Sequence, residues 1–288
     1  MQTLAEFAPL VPVPDANAHK YSRGKAVVVG GSDAYPGAAM LCSAACQYAG
    51  AGYTQVFTAR RNVKAVRAFR PSLVVAPMGQ LDVAKALPEN NPGAFVVGSG
   101  FNPEDAESSQ LVKRVLKQAK APVLVDGGAL AFLSEPKVRK ALIRRSEQGY
   151  ATVLTPHMGE AMRLGKPFNI DVQSMPQTEA ARVLSRCYGS TVVLKGPDTV
   201  VYSGEQSQII TLGTAALAKA GTGDVLAGAI GGFLAQGMPQ FDAVRLGVAV
   251  HAVAGVVASE RQGIVSVIPE DVLQALPEAI QRIQAARA

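Results

Sequence analysis

The sequence has no tryptophan, only three cysteines and few charged residues, and each scarcity excludes a class of protein. Cys42, Cys46 and Cys187 are too few for a disulfide framework and have no CxxC spacing for a metal site. Cys42 and Cys46 lie four residues apart on a predicted helix. We expect them to be small buried apolar residues, as free cysteines commonly are in a reducing compartment.

Signals for export or membrane insertion are also lacking. The segment MQTLAEFAPLVPVPDANAHK has no Lys or Arg before Lys20 and no long apolar stretch, so a secretory signal is not expected. The longest uncharged run, residues 225–241, contains glycines and a proline and is shorter than the roughly 20 apolar residues of a membrane span. We predict a cytoplasmic protein with an extended arm at residues 1–18 and a single domain at residues 19–288.

Basic residues exceed acidic ones by six, which modestly favours anionic ligands. The densest basic group is Arg60, Arg61, Lys64, Arg67 and Arg70. Such a group is more typical of a solvated helix face than of a nucleic-acid site. We therefore expect small anionic ligands and no nucleic acid.

Apolar segments of strand length alternate with longer segments of helical period. The predicted strands are residues 26–30, 54–58, 73–76, 94–97, 123–126, 152–154 and 191–195. The predicted helices are residues 37–48, 104–119, 136–145, 157–164, 177–187, 223–236, 239–259 and 269–286. Strands that are apolar on both faces and joined by helices predict an α/β fold, with a mostly parallel central sheet covered by helices on both faces.

The pattern changes after residue 191. A Gly-Pro-Asp turn separates TVVLK from TVVYS, and residues 207–211 form a further strand-like segment. These features predict a small antiparallel meander near residues 191–211. No linker or internal repeat interrupts the chain.

The sequence has neither a Walker A loop nor a GxGxxG motif after a strand. Instead, Gly221-Thr222-Gly223 leads into Asp224 and an uncharged apolar helix. A Gly-x-Gly loop at a helix start directs backbone N–H groups outward, where the helix dipole favours an anion. Asp224 has two interpretations. It is either a capping acid, or a base that deprotonates a hydroxyl while the loop stabilises a phosphoryl group.

Other loops follow predicted strands, where open α/β sheets bind ligands. VVVGGSDAYPGAA, residues 27–39, and VVGSGF, residues 96–101, are glycine-rich and are compatible with plain connections as well as with ligand binding. In LKGPDT, residues 194–199, a lysine precedes a Gly-Pro turn that is either part of a site or a surface hairpin.

The segment VLTPHMGE, residues 153–160, predicts a helix start with Thr155 as the N-cap and Pro156 as the first helical residue. His157 then faces the strand ends, where a structural hydrogen bond and a ligand contact are both open. His157 and Glu160 have no evident third ligand, so a protein metal site is not predicted.

Taken together and in this order, these motifs resemble the ADP- or ATP-dependent NAD(P)H-hydrate dehydratase family, a branch of the ribokinase-like superfamily. The matching pieces are HKYSRGK (19–25), GGSDAYPGAA (30–39), GSG (98–100), VLVDGGAL (123–130), LTPHMGE (154–160), LKGPDT (194–199) and AKAGTGDVLAG (218–228). The resemblance runs from residue 19 to about residue 260, which is nearly the whole chain. The resemblance implies a ribokinase-like three-layer fold.

The resemblance also implies a reaction. The substrate is the S epimer of NADH hydrate or NADPH hydrate, and ADP or ATP phosphorylates its C6 hydroxyl. The ring nitrogen lone pair then expels phosphate and restores NADH or NADPH, leaving AMP or ADP. Mg2+ bridges the phosphate oxygens.

Site residues carried over from the family fall into three groups. Asp224 is the catalytic base, beside an anion hole formed by Gly221, Thr222 and Gly223. The hydrate contacts Ala39, Gly100, His157 and Asp224. The AMP part of the nucleotide contacts Lys195, Gly196, Pro197, Asp198, Thr199 and Gly223.

Two departures from the family pattern stand out. Thr214-Ala215-Ala216 replaces the Asn-Pro-Gly of many relatives, and Gly128 stands where many have a second acid. Some relatives carry an N-terminal epimerase domain, which we do not expect here. We therefore expect a separate NAD(P)H-hydrate epimerase as a functional partner. A homo-oligomer, such as a tetramer, is also expected from the family.

Two alternatives remain open from the sequence. One is a ribokinase-like kinase of a small hydroxymethyl vitamin precursor, and the other is a non-catalytic nucleotide-sensing module. The preferences between ADP and ATP, and between NADH hydrate and NADPH hydrate, are not predicted.

Overall fold

Nine strands form one sheet in a computed structural model that describes residues 2–287. They are β1 (Lys25–Val29), β2 (Tyr53–Thr58), β3 (Val74–Pro77), β4 (Gly93–Val97), β5 (Val123–Val125), β6 (Thr152–Leu154), β7 (Thr191–Leu194), β8 (Thr199–Ser203) and β9 (Gln206–Ile210). Their order across the sheet is β3-β2-β1-β4-β5-β6-β7-β8-β9.

Strands β1 to β7 are parallel, whereas β8 and β9 add an antiparallel meander at one edge. Both the mostly parallel sheet and the meander are confirmed. Strand order reverses between β1 and β4, so the loops after these two strands leave in opposite directions. In open α/β sheets a crevice forms at such a point, outside the carboxyl ends of the strands.

Residues 2–287 form ten α-helices, and eight of them match the predicted helices. The ten are α1 (Pro36–Tyr48), α2 (Val63–Phe69), α3 (Ala106–Gln118), α4 (Ala129–Phe132), α5 (Pro136–Glu147), α6 (Met158–Gly165), α7 (Gln177–Tyr188), α8 (Thr222–Ala235), α9 (Gln240–Gln262) and α10 (Pro269–Ala285). The short helices α2 and α4 were not among the predicted helices.

The sheet is the middle of three layers. Alternate residues of β1 point to opposite faces: Ala26 and Val28 belong to the core shared with α1, α8, α9 and α10, and Val27 and Val29 to the core shared with α3 to α7. Because both faces are covered, the strands are apolar throughout rather than alternating with polar residues.

Helix α8 has no polar face because it is buried against α1. A Cβ atom on Gly228 would lie 2.1 Å from the Cys42 carbonyl oxygen, and one on Gly232 would lie 2.7 Å from the Cys46 carbonyl oxygen. The glycines therefore let the two helices approach closely. Cys42 and Cys46 are fully buried, as predicted.

Helix α9 is long and apolar enough to cross a membrane by length and composition. However, 78% of its most apolar window is buried inside the fold, so its composition is explained by its position in the core.

The first residues are not extended throughout. Leu4–Glu6 and Ala8–Leu10 form two short 3₁₀ turns, and Phe7 between them is fully buried. Arg287 also donates a hydrogen bond to the Ala8 carbonyl oxygen at 3.0 Å. The predicted extended conformation is therefore wrong for residues 4–10, because Phe7 joins the core. The division into an arm and one domain stays a prediction.

Candidate active site

Four polar side chains meet at the carboxyl edge of the sheet: Ser99 after β4, Asp126 after β5, Lys195 after β7 and Asp224 in the first turn of α8. The Ser99 hydroxyl donates to Asp126 Oδ2 at 3.3 Å, and Lys195 Nζ donates to Asp126 Oδ1 at 3.2 Å. Asp126 therefore links the other members of the group.

Asp224 has a strongly perturbed carboxyl group. Burial, followed by the negative charge of Asp126, raises its pKa to about 7, while Ser99 and the Lys195 ammonium oppose the shift. A carboxyl with a pKa near neutrality is suited to accept a proton from a substrate hydroxyl. This property favours a base over a simple capping acid.

Lys195 is held by two carboxylates. Its Nζ lies 3.2 Å from Asp126 Oδ1 and 3.8 Å from Glu160 Oε2. Burial alone would lower the pKa of Lys195, but the charges of Asp126 and Glu160 outweigh it and raise the pKa. Nζ also lies 3.5 Å from the position that a Cβ on Gly223 would take. A fixed positive charge thus borders the predicted anion hole.

The predicted anion hole is a tight turn at the start of α8. Gly221 has φ +100°, a conformation that favours glycine. The Thr222 hydroxyl donates to the carbonyl oxygens of Leu217 at 2.7 Å and Lys219 at 2.8 Å, so it stabilises the turn from inside. Within residues 2–287, no acceptor is in hydrogen-bond range of the Gly223 N–H. The Gly221 N–H likewise donates no hydrogen bond within these residues, so both N–H groups are available to an anion.

His251 on α9 supports the same turn and was not identified from the sequence. Its Nε2 lies 3.0 Å from the Thr222 carbonyl oxygen. Burial lowers the pKa of His251 to about 4, so the ring is neutral at pH 7. Because a carbonyl oxygen only accepts hydrogen bonds, Nε2 carries the ring proton and donates a hydrogen bond to the Thr222 carbonyl oxygen.

His157 is the N-cap of α6, and the predicted capping role of Thr155 is wrong. His157 Nδ1 accepts from the Gly159 N–H at 3.0 Å, while its own N–H donates to Glu160 Oε2 at 2.8 Å. Thr155 instead donates its hydroxyl to Asp126 Oδ1 at 2.7 Å. The His157 side chain is 56% exposed and lines the cavity described next.

A cavity of about 730 Å³ opens beside the Gly221–Gly223 turn, toward β8 and β9. Such a volume is within the range of small-molecule sites. Five of the residues predicted to contact the nucleotide line this cavity, namely Lys195, Gly196, Pro197, Thr199 and Gly223. Asp198 is exposed outside the lining, and its carbonyl oxygen accepts a hydrogen bond from Gln177 at 3.0 Å.

Of the residues predicted to contact the hydrate, His157 lines this cavity, whereas Ala39 and Gly100 lie outside its lining. Gly100 has φ +73° and accepts a hydrogen bond from the Ser32 N–H at 2.9 Å, which joins the GSG loop to the loop after β1. Ala39 is fully buried against Gly31, so its side chain is not presented to the crevice. The burial of the Ala39 side chain therefore gives no support to its predicted contact with the hydrate.

The two departures from the family pattern have local explanations. A Cβ on Gly128 would lie 2.0 Å from the Phe101 carbonyl oxygen, so this backbone has no room for an acid there. Thr214 caps the 3₁₀ turn Ala215–Leu217, with its Oγ1 accepting from the Ala216 N–H at 3.4 Å. Thr214 and Ala215 both line the cavity.

Comparisons with known proteins agree on one family. A family model described as NAD(P)H-hydrate dehydratase matches residues 26–278. The chain is 34% identical over 274 residues to the ADP-dependent (S)-NAD(P)H-hydrate dehydratase of Neisseria meningitidis serogroup B, covering 92% of this chain and 87% of that protein. It is 33% identical over 273 residues to the bifunctional NAD(P)H-hydrate repair enzyme Nnr of Vibrio cholerae, covering 94% of this chain. The chain spans about half the length of that bifunctional relative, namely 52%.

Solved structures agree with this family and with its fold. The ADP/ATP-dependent NAD(P)H-hydrate dehydratase of Bacillus subtilis, co-crystallised with ATP/Mg2+, aligns with a TM-score of 0.83 at 28% identity, over 98% of this chain and 97% of that one. A ribokinase-like superfamily protein of Enterococcus faecalis aligns with a TM-score of 0.81 at 26% identity, over 98% of this chain and 96% of that one. The expected ribokinase-like three-layer fold is confirmed.

Proposed function

Because this chain belongs to the NAD(P)H-hydrate dehydratase family, we propose that it converts the S epimer of NADH hydrate and of NADPH hydrate back to NADH and NADPH, with ADP or ATP as the phosphoryl donor. The single observation that carries the proposal is the position of the Asp224 carboxyl in the first turn of α8, directly after Gly221, Thr222 and Gly223, where burial raises its pKa to about 7. A base next to an anion-binding turn is what phosphorylation of a hydroxyl requires.

The reaction begins with proton transfer. Asp224 accepts the proton of the C6 hydroxyl, and the oxygen forms a bond to the terminal phosphorus of the nucleotide as the bond to AMP or ADP breaks. The ring nitrogen lone pair then forms a double bond to C6 while the C6–O bond breaks and phosphate leaves. Transfer of the C5 proton to the departing phosphate restores the dihydronicotinamide ring. Phosphate is a far better leaving group than hydroxide, so the nucleotide makes the dehydration possible.

Charge on the transferring phosphoryl group is stabilised by the turn and by Lys195. The Gly223 N–H and the N-terminus of α8 supply a partial positive charge, and the Lys195 ammonium supplies a full one nearby. Since Asp126 and Glu160 hold this ammonium in place, little reorganisation is needed during transfer.

Magnesium fits this site as a companion of the nucleotide phosphates. Among residues 2–287 no group of three His, Cys, Asp or Glu side chains could hold a metal ion, but Mg2+ on a nucleotide needs only one or two protein carboxylates. Asp126 and Glu160 are the carboxylates beside Lys195 that could contribute. When bound, Mg2+ neutralises charge on the phosphate oxygens.

The nucleotide occupies the cavity next to β8 and β9. Lys195, Gly196, Pro197 and Thr199 would line its AMP part, with His157 at the boundary to the hydrate. The Bacillus subtilis relative co-crystallised with ATP/Mg2+ supports an adenine nucleotide as co-substrate.

The cellular setting is proposed from the same family. We propose a separate NAD(P)H-hydrate epimerase as the partner that supplies the S epimer. The free cysteines suit a reducing cytoplasm, and we also propose a homo-oligomer.

Purified protein mixed with acid-generated NADH hydrate, Mg2+ and either ADP or ATP tests the proposal. A nucleotide-dependent rise in dihydronicotinamide absorbance, with one phosphate released per NADH, is expected. A reaction without nucleotide serves as the control. No rise from folded protein that binds adenine nucleotide would contradict the proposal and favour a kinase or a nucleotide sensor instead.

A further inference from the structure

We propose that Arg61, assisted by Arg60 and Lys64, binds the adenosine 2′-phosphate that distinguishes NADPH hydrate from NADH hydrate. The inference rests on the proposed function and assigns a specificity-determining role to a basic turn. We define this basic turn as residues 60–64, which comprise the 3₁₀ turn Arg60–Asn62 and the start of α2.

The order of the strands indicates in which direction the hydrate extends from Asp224. The nucleotide cavity lies beside β8 and β9, and the reacting hydroxyl must lie at Asp224, where α8 packs over β4. The remainder of the hydrate cannot share the cavity with the nucleotide. It therefore extends from Asp224 over the carboxyl ends of β4, β1 and β2.

A continuous series of hydrogen bonds joins the reaction centre to the basic turn along this path. Gly31 N–H donates to the Ser99 carbonyl oxygen at 2.8 Å, and Ser32 N–H donates to the Gly100 carbonyl oxygen at 2.9 Å. Asn62 Nδ2 in turn donates to the Ser32 carbonyl oxygen at 2.7 Å. Because β4 and β2 are two strand spacings of ~4.8 Å apart, the basic turn lies within reach of a dinucleotide.

The five basic residues of this region are not equivalent. Arg67 donates to the Val75 carbonyl oxygen at 2.9 Å, and Arg70 donates to Gln47 at 3.1 Å, so both have structural contacts. Arg60, Arg61 and Lys64 are exposed. Only part of the basic group is therefore available to a ligand.

Arg61 is paired with an acid on the neighbouring loop. Its Nε lies 3.6 Å from Asp33 Oδ2, and the two side chains are 84% and 58% exposed. Such an exposed pair is weak, so a phosphate can replace Asp33 at little cost. Arginine suits this task because its planar group forms two parallel hydrogen bonds with phosphate oxygens.

The pair also explains how one site accepts both hydrates. In the Rossmann fold, whose glycine motif this chain lacks, an acid contacts the ribose 2′-hydroxyl and a nearby arginine accommodates a 2′-phosphate, and Asp33 and Arg61 offer the same two groups. With NADH hydrate, Asp33 contacts the hydroxyl and stays paired with Arg61. With NADPH hydrate, Arg61 turns from Asp33 to the phosphate.

The test compares kcat/KM for the two hydrates in the wild type, in Arg61→Ala and in the control Lys140→Ala. Lys140 is an exposed basic residue on α5, so the control removes the same charge elsewhere. Arg61→Ala should lower kcat/KM for NADPH hydrate by about tenfold and for NADH hydrate by less than about twofold. Asp33→Asn should shift the ratio in the opposite direction, because it removes a charge that repels phosphate.

Equal losses for both hydrates in Arg61→Ala, or an unchanged ratio, would overturn the inference while leaving the proposed function intact. A wild type that dehydrates neither hydrate would overturn the proposed function and the inference with it. Arg61 is on the surface, so the variant should fold, and its thermal unfolding midpoint checks this directly.

Discussion

The Lys195 ammonium lies 3.2 Å from the Asp126 carboxylate and also borders Gly223, where a phosphoryl group would be transferred. Asp126 raises the pKa of Asp224, and Lys195 lowers it. The ion pair therefore supplies a positive charge for the phosphoryl group and also adjusts the basicity of the group that accepts the proton.

The pH dependence of kcat/KM should report the opposing effects of Asp126 and Lys195 on the pKa of Asp224. Asp224 accepts a proton only when ionised, so kcat/KM for either hydrate should fall about tenfold per pH unit below its pKa of about 7. Lys195→Met removes the positive charge that opposes the shift and should move the acidic limb to higher pH. A limb that stays in place in Lys195→Met, measured with the absorbance assay, would contradict this coupling.

Replacement of the base should separate chemistry from binding. Asp224→Asn keeps the shape of the side chain but cannot accept the proton, so kcat should fall by roughly 10²-fold or more. The dissociation constant of the adenine nucleotide, measured by calorimetry, should change little. Asp82→Asn, an exposed acid elsewhere, is the matched control and should keep full turnover. Full turnover in Asp224→Asn would remove Asp224 from the mechanism.

The turn before α8 should tolerate no side chain at Gly221. Gly221→Ala places a residue at φ +100° and its Cβ 2.8 Å from Pro269 Cγ. Gly149→Ala has a similar φ, +76°, with nothing within 4 Å of the new Cβ, so it isolates the backbone cost of about 1 kcal/mol. Both variants should lose a similar amount of stability because of the strained backbone. Only Gly221→Ala should also lose nucleotide affinity. Equal affinities in both variants would exclude the turn from nucleotide binding.

Buried His251 should make stability depend on pH. Its pKa is about 4 in the folded protein and 6.5 when unperturbed, so below pH 6.5 the unfolded chain binds a proton that the folded protein does not. The free energy of unfolding should therefore fall by up to about 3 kcal/mol as pH drops from 6.5 to 4. Denaturant unfolding at several pH values should show that the free energy of unfolding falls less steeply with pH in His251→Asn than in the wild type. The same pH dependence in both proteins would mean that His251 is not its cause.

Most of the fold was predictable because its evidence is local. Apolar strand segments such as residues 26–29 and Val123–Val125 indicate a sheet covered on both faces, and the uncharged apolar sequence of α8 indicates a buried helix. The conformation of residues 4–10 was not predictable in this way, because the burial of Phe7 depends on helices far along the chain.

The site was predictable only in part. The Gly221–Asp224 turn is a local pattern, whereas the link from Thr155 to Asp126 joins residues 29 positions apart and removes Thr155 from its predicted capping role. His251 is likewise separated by 29 positions from Thr222, and no spacing in the sequence connects them. Such contacts arise from tertiary packing, so a sequence pattern does not reveal them.

The central claim is that the C6 oxygen of the hydrate leaves as part of phosphate. NADH hydrate prepared in water enriched in oxygen-18 carries the heavy isotope in its C6 hydroxyl, and the reaction is then run in ordinary water with nucleotide and Mg2+. Mass spectrometry of the released phosphate should find one heavy oxygen for each NADH formed. Formation of NADH with unlabelled phosphate would mean that the hydroxyl leaves without being phosphorylated, and would contradict the account.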